Sequence, residues 1–178
     1  MSETTTTRSA SVVNAVVLTV LLVLAGFLFG KAMAHIPTPQ HRFEFWVSNL
    51  AAPWIVLPFL AGYAVPRRVL APAAGALTCI ASISGFYWQV IQDGVLVSIA
   101  KWVLLATVAG ALYGYAGRAW RLRRSRVAAI ALTAPAILEF LLWTVRDGTL
   151  PQPYIMWLAE AGVGVLVLLA MLRAAGRS

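Results

Sequence analysis

Apolar residues run along this chain in six long stretches, separated by short connectors that carry proline, glycine or charge. The stretches are Val12–Ala34, Asn49–Val65, Val69–Ile91, Val97–Ala116, Val127–Val145 and Tyr154–Leu172. Each approaches the ~20 residues that an α-helix needs to cross the hydrocarbon core of a bilayer. The pattern predicts an all-α, polytopic membrane protein: one bundle of about six transmembrane helices over residues 12–172. A disordered N-terminus over 1–11 and a short tail over 173–178 complete the expected organisation. The second stretch is short and contains Pro53 and Pro58, which predicts a kinked or partly irregular helix. Between the first two stretches, His35–Ser48 opens with Pro37 and Pro39. It then places Phe43, Trp46 and Val47, followed by Leu50, at helical spacing beside Arg42 and Glu44. That predicts a short amphipathic helix lying in the membrane interface. Ala32-Met33-Ala34 imitates a signal-peptidase site, but the apolar run before it is too long for a signal peptide.

Composition strengthens this reading. The 178 residues are 61% hydrophobic and 11% charged, with mean hydropathy +0.82, whereas globular domains average roughly 45–50% and about 25%. A soluble fold of this size has too little interior to hide so much apolar surface. The low charge excludes a disordered chain, and the spread of apolar runs excludes a single anchor on a soluble head.

The net charge of +8 raises nucleic acid as a partner, but the basic residues lie in the connectors, where they act as topology signals. Ten of the fourteen fall on one side: Arg8, Arg67, Arg68, Arg118, Arg121, Arg123, Arg124, Arg126, Arg173 and Arg177. The other side has Lys31, Arg42, Lys101 and Arg146. The positive-inside rule places both termini and the Arg-rich connector in the cytoplasm of a cell whose plasma membrane holds the bundle. No nucleic acid is expected. The single cysteine, Cys79, excludes a disulfide framework, and His35 and His41 read as solvated loop residues. No metal or cofactor is expected, and GxSxG, HExxH and phosphate-loop motifs are absent.

The acids are sorted the other way. Only Glu3 belongs to the cytoplasmic side; Glu44, Asp93, Glu139, Asp147 and Glu160 belong to the outer half. Glu139 and Glu160 fall inside spans, each ~9 Å below the outer boundary by helical rise. Lys101, Gln89, Asp93 and Asn49 lie near the same level. Polar groups in lipid are costly and normally face the bundle interior or a wet cavity, so this common depth predicts one outer-half pocket. Trp54, Phe86, Tyr87, Trp88, Trp143 and Trp157 gather at that level. Trp143 is four after Glu139 and Trp157 three before Glu160, so each acid shares a helix face with an indole. Pro135, four before Glu139, frees a carbonyl beneath the site. Gly162 and Gly164 offer a close helix approach near Glu160, and Gly26/Gly30 and Gly110/Gly114 read as packing seams. Plainer readings stand beside this one. The aromatics can form an interfacial belt, and the acids can be helix glue or a knot with Lys101.

Two chemistries fit such a pocket. Apolar surroundings disfavour the charged form of a carboxyl, and aromatic faces stabilise cations. Glu139 and Glu160 are therefore the candidate catalytic pair, one donating a proton and the other orienting it or accepting the final proton. Trp54, Tyr87, Trp88, Gln89, Asp93, Lys101, Trp143 and Trp157 are the candidate substrate-binding residues. In size, helical plan and its two embedded acids the chain resembles the small integral-membrane terpene cyclases. That resemblance implies acid-initiated cation cyclisation of a lipophilic prenyl substrate, an isomerase or lyase chemistry of secondary metabolism. In length, helix number and an outer-half pocket it also resembles the six-helix substrate-capture subunits of vitamin importers. This implies instead a binding or accessory subunit of a small-molecule transporter, although Phe29 stands four after Ala25, where that family has a second alanine. Membrane lipid, a lipophilic small molecule, and a homo-oligomer or pathway partner are the expected associates. Finally, Ala52-Pro53-Trp54-Ile55-Val56-Leu57-Pro58-Phe59-Leu60-Ala61-Gly62, Ser84-Gly85-Phe86-Tyr87 and Gly110-Ala111-Leu112-Tyr113-Gly114 resemble an uncharacterised group of actinobacterial integral membrane proteins. That likeness implies the helix count and no activity.

Overall fold

A computed structural model of the protein describes residues 3–35, 50–94, 98–147 and 154–177. Among them the chain forms six α-helices: α1 (Glu3–His35), α2 (Ala51–Ala64), α3 (Leu70–Gln92), α4 (Ala100–Arg123), α5 (Arg126–Asp147) and α6 (Tyr154–Ala175). The expected interfacial helix falls mainly on residues 36–49, outside the described residues. Helical backbone begins at Glu3, within the segment expected to be a disordered N-terminus. At the other extreme α4 continues beyond Ala116 to Arg123. Arg, Leu and Ala are strong helix formers, so the helix outlasts the apolar pattern that announced it.

Among the described residues, three helices are long and apolar enough to cross a membrane: Val16–His35 within α1, Leu70–Gln92, and Met156–Ala175 within α6. The expected number was six, and the difference has physical causes. At 14 residues α2 is ~21 Å long, short of the ~30 Å hydrocarbon core. α4 carries Lys101, Arg118, Arg121 and Arg123 beside several glycines and tyrosines, which dilutes its apolar character. The chain is an all-α protein with candidate spans of the multi-pass kind.

The helices pack through small residues. α3 lies at the centre, against α1, α2 and α4, while α2 also packs on α4 and α5 on α6. A Cβ on Gly30 would run into the Ser82 carbonyl, and one on Gly62 into the backbone of Gly114, so these helices touch backbone to backbone. The seams expected at Gly26/Gly30 and Gly110/Gly114 are both used. Of the other expected pair, Gly164 meets Ala136, Ile137 and Thr133 of α5, whereas Gly162 faces open space. Buried hydroxyls are satisfied within their own helices: Thr78 Oγ1 donates to the Ala74 carbonyl (2.8 Å), Ser82 Oγ to Thr78 (3.0 Å) and Thr133 Oγ1 to Ala129 (2.9 Å).

α4 and α5 are joined by the two-residue turn Arg124-Ser125. Arg124 adopts a left-handed conformation (φ 48°) and donates its N–H to the Trp120 carbonyl at 3.0 Å. Ser125 Oγ then accepts the Ala128 N–H at 3.4 Å, a loose N-cap for α5. Despite this tight turn α4 and α5 touch only sparingly. They diverge, and a large cleft opens between them.

Candidate functional site

The site is built around α2. Its first residues, Leu50-Ala51-Ala52-Pro53, include no side chain that caps the helix, no acid stands in its first turn and no base in its last. A helix start leaves backbone N–H groups with no intrahelical acceptor, and its end leaves carbonyls with no donor. In a membrane setting such groups must find partners inside the protein. Here they come from other helices. Glu139 Oε2 on α5 accepts the Ala51 N–H at 2.9 Å, and Glu160 Oε1 on α6 accepts the Ala52 N–H at 3.1 Å. Pro53 has no N–H, so three successive residues of the first turn leave no backbone donor unmet. At the far end Arg121 Nη1 donates to the carbonyls of Tyr63 (2.9 Å) and Ala64 (3.0 Å), and Arg118 Nη2 donates to the carbonyl of Pro66. The Arg121 guanidinium also lies 5.6 Å from the Tyr63 ring centroid. Acids at the N-terminus and guanidinium groups at the C-terminus both complement the helix dipole.

The two acids therefore do meet, on adjacent N–H groups of one helix end, and each also borders a different cavity. Glu139 lines the cleft between α4 and α5, of about 1110 Å³, which Ala51 closes at one end. Its walls include Leu112, Ala116, Ala131, Pro135, Leu138 and Leu142, with Tyr113 and Tyr115. At the opposite end stand Arg68, Arg118, Arg123 and Ser125. Pro135 leaves the Ala131 carbonyl without its i+4 donor, and both residues line the cleft. Glu160 borders a smaller cavity of about 380 Å³ between α2, α5 and α6, lined by Leu50, Val56, Leu132, Thr133 and Met156 among others. Its Oε2 is buried with no hydrogen-bond partner among the described residues.

Several of the other expected site residues make contacts of their own. Trp54 packs edge-on against Phe29 (5.4 Å between centroids) and Phe86 (5.6 Å), and Phe86 against Tyr87 (5.3 Å), so these rings form a cluster between α1, α2 and α3. Trp88 is 56% exposed. Gln89 Nε2 donates to Asp93 Oδ1 at 3.1 Å on the surface of the α3 end. Lys101 is exposed, its Nζ 5.3 Å from the Trp102 ring centroid, so no knot with the acids forms around it. Trp157, in α6, is fully buried. The Trp143 side chain lies outside the described residues. Among the described residues no three His, Cys, Asp or Glu side chains gather as a metal site. Sequence reasoning missed Ala51 and Ala52 as the partners of the acids, Arg118 and Arg121 as caps, and Tyr113, Tyr115 and Ser125 as cleft residues. One signal for the caps was available: a short helix with no cap of its own and no charge at either end.

Fold and site together define a small all-α protein of the multi-pass membrane class, with a short helix clamped at both ends and an apolar cleft beside it. The chain belongs to a family of unknown function (DUF6518), which it matches over residues 4–178. The likeness to an uncharacterised family drawn from the sequence holds at that level. No curated protein and no solved structure matches the chain.

Proposed function

We propose that the protein binds one lipophilic small molecule in the cleft between α4 and α5. The observation that carries this reading is the cleft itself: about 1110 Å³ with mainly apolar walls and polar groups confined to its ends. Binding sites for small molecules have this character, apolar along the body with few polar groups that fix orientation. The arrangement favours a membrane-soluble molecule over the water-soluble cargo of an importer subunit. We further take the bundle to lie across the bilayer, with the shorter α2 embedded in it and both termini and the arginine end of the cleft cytoplasmic. Leu104, Leu105 and Val108 on α4 and Ile130, Leu141 and Val145 on α5, none of which lines the cleft, are each at least half exposed, which supports hydrocarbon around both helices.

A second reading, acid-initiated cyclisation of a prenyl substrate, is favoured by one observation: Glu139 lines the same cleft. Binding has the broader support, because Trp54, Phe86 and Tyr87 pack edge-on against one another and Phe29 and are not among the residues that line the cleft.

Labelling with a photoactivatable aliphatic probe in vesicles tests the binding reading. Peptides covering 112–119 and 127–142 should be labelled, and Ala131→Phe and Leu138→Trp, which fill the cleft, should remove that label while sparing the label on α1. Equal labelling in the filled variants overturns the proposal. So does a cross-link between two copies through the cleft, because a second chain would then be its occupant.

A further inference from the structure

The two ends of the cleft differ in charge. Arg68, Arg118, Arg123 and Ser125 stand at the α4–α5 turn, and Glu139, the one carboxyl of the lining among the described residues, stands at the other end. Along α5 from Arg126 to Glu139 that separation is ~20 Å, about two thirds of a hydrocarbon core. Not every arginine of the turn is committed elsewhere. Arg121 is spent on the Tyr63 and Ala64 carbonyls, and Arg124 lies 5.2 Å from the Trp120 ring centroid. Arg118 gives one Nη to Pro66, but its Nε is buried with no hydrogen-bond partner among the described residues. Arg68 and Arg123 are exposed at the cleft mouth. Three guanidinium groups and a hydroxyl thus converge where an apolar trough opens at one end of the bundle.

Resting on the binding reading above, we propose that the occupant is an anionic membrane lipid, its phosphate headgroup held by Arg68, Arg118, Arg123 and Ser125 and its acyl chain laid along α5 toward Glu139. Guanidinium groups recognise phosphate through paired N–H donors. The exposed guanidinium groups of Arg68 and Arg123 offer such donors at the cleft mouth, and Arg118 beside them adds positive charge. Carboxylic headgroups would meet the same donors, but three cations for one headgroup suit the multiple oxygens of phosphate. Glu139 at the far end repels an anion, so the charge pattern also fixes the direction in which the lipid lies.

The test is native mass spectrometry of the full chain in micelles doped with equal phosphatidylglycerol and phosphatidylcholine. The expected result is one retained lipid per chain, mostly phosphatidylglycerol. Arg68→Gln and Arg123→Gln, which leave the α2 caps intact, should each lower the preference roughly fivefold while total lipid retention stays. Loss of preference with retained lipid in these variants confirms the headgroup site. Equal retention of both lipids by the wild type overturns the headgroup site and leaves the binding reading standing. No retained lipid of either kind overturns both. Displacement of the retained phosphatidylglycerol by millimolar inorganic phosphate would identify a free anion as the ligand and also overturn the lipid assignment. Lysine substitution at residue 123 should restore most of the preference, because the charge returns without the fork.

Discussion

Replacing Glu139 and Glu160 by alanine removes the acceptors that close the start of α2. Each carboxylate accepts one backbone N–H, at 2.9 and 3.1 Å, and a hydrogen bond to a charged group contributes about 1.5–3 kcal/mol. Favourable placement at a helix N-terminus adds ~0.3–1 kcal/mol. Glu139→Ala alone should therefore cost roughly 2–4 kcal/mol, which for a chain of this size lowers the midpoint by about 4–16 °C. The double variant should cost less than twice that, because the two carboxylates share one helix end and repel each other. Glu139→Gln keeps a carbonyl acceptor and should lose about half as much as Glu139→Ala. A partner substitution isolates the bond. Leu50 is extended (ψ 131°), so proline is sterically compatible at residue 51, and a first-turn proline is well tolerated. Ala51→Pro deletes the donor. It should destabilise the wild type by ~1–2 kcal/mol and the Glu139→Ala variant by much less. The assay is a double-mutant cycle by thermal unfolding in a mild detergent, followed by tryptophan fluorescence. Additive losses would refute the capping argument, as would a Glu139→Ala, Glu160→Ala protein that melts with the wild type.

Other expectations follow from the same geometry. Arg121→Ala strips the caps from Tyr63 and Ala64 and should cost about 1–3 kcal/mol in the same melt, with Arg121→Lys recovering part of it. Gly114→Leu forces α2, α3 and α4 apart and should abolish a cooperative transition, whereas Gly162→Ala, which meets nothing within 4 Å, should raise the midpoint by a few degrees.

The helices were legible in the sequence because their apolar runs are long and their connectors carry charge. The Arg-rich segment marked the α4–α5 connection, although α4 reaches seven residues beyond its apolar run because arginine and alanine sustain helix as well as leucine does. The common level of Glu139 and Glu160 was legible too, since helical rise converts sequence position into height along each helix. Their direction around the helix was not. Which neighbour an acid meets depends on how the helices rotate and cross, and that is fixed by backbone contacts such as Gly62 on Gly114. Hence the acids were placed with indoles and Lys101, while in the fold they serve the exposed start of α2. The aromatic cluster escaped for a similar reason: Phe29, Trp54 and Phe86 come from three helices that meet across the α1–α3 seam. The cleft arises from two helices that diverge after a tight turn, a feature no hydropathy pattern encodes.

The central claim is that this cleft holds a lipophilic molecule, and counting bound lipid per chain tests it most directly. Protein purified from membranes and washed extensively in detergent should release close to one lipid molecule per chain on organic extraction. Ala131→Phe and Leu138→Trp proteins, folded to the same midpoint, should release far less. A wild type that releases none, or filled variants that release as much as the wild type, would contradict the account.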